Sequence, residues 1–363
     1  MSVSPLEIVL IAPLAPIAGV VLFWFIQLLF IESQKFLLSK IRSKHEPLCR
    51  FTNFLGILFQ TMCHALGFTI TRSGISSFYI SVHYGKVAPK KKKQGVFEWM
   101  ANGFLFVGPF FIPSSLLLIC LYFLINDSFN TSISTNLAIS HYSFAGQLIS
   151  FGNNLYTFSE GFFGFLSSID FLHPGHLGFF LLLLFLGLGI RPSYIGEKTK
   201  EKVDMIYDLK NIKNNLLHKP VYILILFLFS YLFFYISILF EQTWYVLLFS
   251  VLGWLSIIAI AAMLVTHLFL LLIKNSDEIK GQWKLVPYIV IIASYVLART
   301  IFFYFPIEHL KSASIVIMIL STFATLFFLL KFKSNKFKTK PTMKPLKKVK
   351  SGVTDGPRRV IKQ

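Results

Sequence analysis

Residues 244–273 read WYVLLFSVLGWLSIIAIAAMLVTHLFLLLI, thirty positions without an acidic side chain, a lysine or an arginine. A helix of this length, rising 1.5 Å per residue, exceeds the roughly 30 Å of hydrocarbon in a bilayer. Because lipid offers the backbone no hydrogen-bond partner, such a stretch crosses a membrane as an α-helix. The segment predicts an integral membrane protein.

Six other apolar runs have the same character. They are residues 8–31, 100–125, 169–190, 220–240, 285–305 and 313–330. The 363-residue chain is 55% apolar and 14% charged, whereas soluble domains are about 25% charged. We expect an all-α polytopic membrane protein with seven clear transmembrane helices in a bundle over residues 1–330. The N-terminal run, residues 8–31, is not preceded by basic residues, which favours a retained span over a cleaved signal peptide.

The stretch 51–70, FTNFLGILFQTMCHALGFTI, is as long as a span but carries Gln60, Thr61, Cys63 and His64. It predicts one further, half-polar membrane helix that either crosses fully or is only partly inserted. Residues 75–87, ISSFYISVHYGKV, mix alternation with residues that favour strands. They predict a small strand-rich loop after this helix.

Positive charge dominates the polar segments. The chain has 35 Lys and Arg against 16 Asp and Glu, a net charge of +19. The excess flanks apolar runs and fills the C-terminus, where it sets topology and binds anionic headgroups, and the chain has no nucleic-acid-binding motif. We therefore expect a lipid partner and no nucleic acid.

The same charge pattern predicts the sides of the membrane. We expect the cytosol for the loop 71–99, for the connector 191–219 and for a disordered polybasic tail, 331–363. The segment 126–168, which is nearly free of basic residues, is expected outside. The loops 32–50 and 71–99 share a side only if 51–70 does not cross fully.

The half-polar helix carries Gln60-Thr61-Met62-Cys63-His64-Ala65-Leu66-Gly67, and the later helix contains Gly108-Pro109. With the strand-rich loop between them, residues 55–125 resemble the core of the site-2 family of intramembrane metalloproteases. That family carries H-E-x-x-H on a membrane helix, then a strand-rich loop, then a helix near a Gly-Pro. The resemblance implies a membrane-embedded peptidase fold.

The catalytic part of that motif is altered. In register, the first zinc-binding His is replaced by Gln60 and the general-base Glu by Thr61, while His64 remains. Zinc-assisted hydrolysis needs two His at this spacing together with the Glu. The resemblance therefore implies a catalytically inactive member that binds membrane protein clients and needs no cofactor.

A second polar group stands at 170–176, in the stretch SSIDFLHPGHLGFF. If this segment is helical, Asp170, His173 and His176 lie within reach of one another, and with His64 they offer ligands that suit zinc. The resemblance gives Asp170 as the counterpart of the family's third ligand. The alternative function is a zinc-dependent intramembrane peptidase with a rearranged site; the alternative structure is an interfacial helix cap.

Two more polar residues lie within apolar runs. Arg299 is expected to pair with a carboxylate or backbone carbonyl, or to extend its charge to the interface. With the polar helix it supports a third function, a transporter or channel, although the chain has no internal repeat of the kind many transporters show. His267 is expected to be packed or to hydrogen-bond a neighbouring helix.

Overall fold

The computed structural model describes residues 7–82, 85–91, 95–125, 142–190, 220–279, 281–304 and 310–338. The described chain is helical except for one two-stranded sheet and short turns, which confirms the all-α membrane class. The elements are α1 Leu14–Ile41, α2 Glu46–Ile70, β1 Ile75–Ile80, β2 Gly85–Pro89, α3 Val96–Ile125, α4 Phe144–Ser167, α5 Pro174–Gly189, α6 Pro220–Leu239, α7 Trp244–Ser276, α8 Val286–Phe303 and α9 Leu310–Lys338. A π-helical turn, Glu7–Ile11, precedes α1.

Within the described residues, six helical segments are long and apolar enough to cross a membrane. They are Glu7–Ile41, Glu46–Ile70, Pro220–Leu239, Trp244–Ser276, Gly281–Phe303 and Ser312–Lys331. Gly108–Leu124 and Pro174–Gly189 are shorter apolar helices. The multi-pass architecture is confirmed, with two changes. The half-polar stretch belongs to a full-length helix, and the span expected at 169–190 begins only at Pro174.

Helix α4 lies in the segment 126–168, which the sequence analysis treats as an outside loop. The Ser143 hydroxyl accepts a hydrogen bond from the Gly146 N–H and caps the helix. One stripe of the helix is buried: Gln147, Phe151, Leu155, Phe158 and Phe162. Polar residues such as Asn153, Asn154 and Glu160 are mixed among the apolar ones and lower the hydropathy of the segment.

The core is built around α7, which packs against α1, α3, α4 and α5. Glycines allow the closest approaches. A β-carbon on Gly187 of α5 would collide with the Ala262 carbonyl of α7, and one on Gly19 of α1 would collide with the Phe151 ring. The Gln34 side chain donates to the Gly187 carbonyl at 3.2 Å and ties α1 to the end of α5.

Tyrosines of α6 and α7 hold the N-terminus. Val9 lies in the π-helical turn before Pro13, and its carbonyl oxygen accepts a hydrogen bond from a tyrosine of α6. Tyr235 donates its hydroxyl to this oxygen at 2.6 Å, and Tyr245 donates to the Pro13 carbonyl at 2.6 Å. These bonds join the first span to the α6–α7 pair.

The C-terminal helices α8 and α9 pack mainly against each other. Helix α9 continues to Lys338, so residues 331–338 of the predicted tail are helical. Residues 339–363 and the connector 191–219 lie outside the described residues. The predicted disorder of the tail and the predicted cytosolic side of both basic segments remain predictions.

Candidate functional site

The altered motif lies on the face of α2 that meets the hairpin. Thr61 is buried, and its hydroxyl donates to the Ile57 carbonyl of its own helix at 2.6 Å. Gly85, the first residue of β2, lies directly on this threonine, because a β-carbon on Gly85 would collide with Thr61 Oγ1. Strand backbone thus occupies the space beside the Thr61 side chain.

The strand-rich loop is an antiparallel hairpin that folds back along α2. Phe78 pairs with Val87 and Ile80 with Gly85 in its register. Near its tip, the Asn53 amide of α2 donates to the Val82 carbonyl at 2.9 Å. The hairpin predicted from 75–87 is therefore present, and it is anchored to the half-polar helix along more than two turns.

Helix α3 approaches α2 at the Gly-Pro sequence. A β-carbon on Gly108 would lie 2.9 Å from both Cys63 Cβ and Cys63 Sγ, closer than real contacts allow. Only glycine permits this approach. The polar helix, the hairpin and the Gly-Pro helix on which the resemblance rests therefore all meet at consecutive turns of α2.

His64 is half-buried in this arrangement. The His64 ring stacks on Phe68 with centroids 4.5 Å apart. Within the described part of the chain, His64 Nε2 is buried and has no hydrogen-bond partner. Gln60 lies one turn earlier and is also half-buried.

A second polar cluster forms where the α4–α5 loop meets α8. The Asp170 carboxylate binds Arg299 Nη2 at 2.6 Å and accepts the Tyr295 hydroxyl at 3.1 Å and the Leu172 N–H at 3.1 Å. The Tyr295 oxygen in turn accepts the Phe171 N–H at 2.9 Å. Of the alternatives expected for Arg299, the structure shows pairing with a carboxylate.

Asp170 is held as an anion by these partners. Burial by itself would raise its pKa, but the hydrogen bonds from Arg299, Leu172 and Tyr295 and the Arg299 charge outweigh burial and lower the pKa below its usual value. The pair is therefore charged at neutral pH, and each charge neutralises the other.

The two nearby histidines are engaged through their ring lone pairs. The Asp170 N–H donates to His176 Nδ1 at 3.1 Å, and the His176 N–H donates to His173 Nδ1 at 3.4 Å. His173 thereby caps α5. In a neutral imidazole, Nδ1 is then the acceptor and Nε2 carries the proton, which leaves no ring lone pair for a metal.

The zinc site predicted from His64, Asp170, His173 and His176 is not assembled. Among the described residues, no three His, Cys, Asp or Glu side chains are grouped so that they could hold a metal ion. The physical reasons are that residues 170–173 form a turn rather than a helix, and that Arg299 and backbone N–H groups already use the donor atoms. The alternative reading of 170–176 as a helix cap matches this geometry.

His267 of α7 forms the interhelical hydrogen bond that was predicted. Its Nε2 lies 3.0 Å from Ser33 Oγ of α1. Tyr295 is the one member of the Asp170 cluster that the sequence analysis missed. It stands four residues before Arg299, and that spacing alone would have placed both on one helical face.

Comparison with known proteins adds no relative: no protein-family model, no curated protein and no solved structure matches the chain.

Proposed function

We propose that this chain is a catalytically silent membrane protein built on a site-2-protease-like core, and that it binds membrane protein clients. The packing of the hairpin and of the Gly-Pro helix on α2 supports the proposal, because it matches the order of elements in that family's core. Gly85 and Gly108 contact α2 beside Thr61 and Cys63, respectively.

The proposed lack of catalytic activity rests on the contact between Thr61 and Gly85. A general base must accept a proton from water, and a threonine hydroxyl cannot do so near neutral pH. The Thr61 hydroxyl also donates to the Ile57 carbonyl, and the Gly85 backbone fills the adjacent space. The neutral Gln60 and the single His64 fall short of the three protein ligands that catalytic zinc uses.

The client contact in this proposal is strand β1. Five of its six residues are exposed, and among the described strands it pairs only with β2. A strand with an open edge can be extended by a peptide in extended conformation. On α2, Met62, Leu66 and Ile70 form an exposed apolar stripe against which a client's span can pack. The client class is thus a membrane protein with an extended segment next to its span.

Site-specific photocrosslinking tests the contact. A benzoylphenylalanine at Phe78, which is 50% exposed on β1, is expected to crosslink a co-expressed single-span reporter with an unstructured segment beside its span. The same probe at Phe327, 64% exposed on α9, is the matched control. Equal crosslinking at both positions, or none at Phe78, contradicts the proposed contact.

A cleavage assay separately tests the proposed lack of catalytic activity. The purified wild-type chain and His64→Ala are incubated with the same reporter in proteoliposomes containing zinc, and no cleavage is expected from either. Cleavage by the wild type that disappears in His64→Ala overturns the proposal that the chain is catalytically inactive, whether or not Phe78 crosslinks.

A further inference from the structure

A small, partly open cavity lies where the start of α4 meets the turn between α6 and α7. Its volume is about 10 Å³, the size that holds a single water molecule. Polar side chains from both sides line it: Tyr142, Gln147 and Ser150 from the α4 segment, and Ser237, Gln242 and Thr243 from the α6–α7 segment.

Tyr142 lines this cavity and has a buried hydroxyl. The residue is 8% exposed, and its ring packs edge-to-face against Phe234 with centroids 6.4 Å apart. Within the part of the chain that the structure describes, the hydroxyl has no hydrogen-bond partner. Buried hydroxyls in folded proteins nearly always have one, because an unsatisfied donor loses its hydration without compensation.

We propose that this cavity binds one water molecule, which accepts a hydrogen bond from Tyr142 and joins the start of α4 to the α6–α7 turn. Polar side chains from both segments line the site beside apolar ones, and they can complete the water's hydrogen bonds. The water adds a polar contact between the two segments beside the aromatic contact of Phe234 with Tyr245.

The donor character of Tyr142 selects water over a cation. Burial and the nearby Glu241 carboxylate raise the pKa of the Tyr142 hydroxyl above its usual value, so it keeps its proton. A protonated hydroxyl in need of an acceptor is satisfied by a water oxygen. A metal cation accepts no hydrogen bond and would leave the donor unsatisfied.

A density map at about 2 Å resolution or better tests the site directly. A single peak within hydrogen-bond distance of Tyr142 Oη is expected in the wild type and is expected to be absent in Tyr142→Phe. An empty cavity overturns the proposal. An anomalous signal at the same position after exchange into rubidium chloride also overturns it, because the occupant is then a cation.

Thermal unfolding gives an independent test through the sign of the change. If water satisfies the hydroxyl, Tyr142→Phe removes a hydrogen bond and lowers the unfolding midpoint by about 1–2 °C. If the cavity is dry, the same change removes an unsatisfied donor and raises the midpoint, which contradicts the proposal. Tyr156→Phe, at a 67% exposed position of α4, is the control and is expected to leave the midpoint unchanged.

Discussion

Asp170, in the loop before α5, lies 2.6 Å from Arg299 of α8, and the same carboxylate accepts the Tyr295 hydroxyl one turn earlier on that helix. One loop residue thus holds two successive turns of α8. Because α8 and α9 pack mainly against each other, this cluster is a principal polar tie between the C-terminal helical pair and the rest of the described bundle.

Removing the Asp170 charge should weaken this tie. Asp170→Asn leaves Arg299 partly buried without a counter-charge and is expected to cost about 1–3 kcal/mol of unfolding free energy, less than a fully buried pair because both side chains keep some exposure. Adding Arg299→Met should recover part of the loss, as measured in a double-mutant cycle. Glu46→Gln breaks the exposed Glu46–Arg50 pair and should cost about 0.5 kcal/mol or less. Additive costs for Asp170 and Arg299 would contradict the coupling.

The same pair should make stability fall in acid. The folded-state pKa of Asp170 lies below its usual value of 3.8, so the stabilisation is fully present above about pH 3.8 and is lost as the pH falls through the lower folded pKa. Unfolding midpoints of the wild type and Asp170→Asn, measured between pH 7 and pH 2.5, should therefore converge at the acidic end. A difference between the two proteins that stays constant over this range would show that the charge of Asp170 contributes nothing.

Adding a side chain where the hairpin contacts α2 should destabilise the protein. Gly85→Ala forces a β-carbon against Thr61 Oγ1 and should destabilise the protein by about 1–3 kcal/mol. Adding Thr61→Ala removes the colliding oxygen and should restore part of the loss. Gly152→Ala on α4, where a β-carbon meets nothing within 4 Å, is the matched control and should stabilise by about 0.5–1 kcal/mol. Equal effects of the two substitutions on stability would show that the close contact between Gly85 and Thr61 is not responsible for the loss.

A second imidazole on α2 should create zinc affinity. Gln60→His places a histidine four residues before His64 on the same helical face, the spacing that binds zinc in the motif the chain resembles. Mass spectrometry of the purified protein should show more bound zinc in this variant than in the wild type, and the gain should vanish when His64→Ala is added. A gain that survives His64→Ala would place the metal elsewhere.

The C-terminus should bind anionic lipid. Residues 339–363 carry eight Lys or Arg against the single Asp355, and each basic residue near a membrane surface contributes about 1 kcal/mol. Deleting 339–363, which leaves α9 complete, should weaken binding to vesicles that contain phosphatidylserine, and added salt should reduce the difference. Binding that responds to neither change would contradict the prediction.

The sequence by itself determined the membrane class and most of the helices, because lipid demands long apolar runs with internally satisfied backbones. It also determined the hairpin and the need of Arg299 for a partner, since a charge within an apolar run must be compensated. The helix boundaries predicted from the sequence were wrong in two places. Residues 170–173 form a turn before α5, and α9 continues to Lys338.

Only the tertiary structure decided which groups meet. Helix α4 was missed because polar residues interrupt its apolar pattern, and only the tertiary structure shows that Phe151 and Leu155 pack against α1 and α7. The spacing of Asp170, His173 and His176 suits a metal on a helix, but Arg299 from a distant helix takes the carboxylate and backbone N–H groups take the ring nitrogens. Such donors lie far apart in sequence, and no local pattern records them.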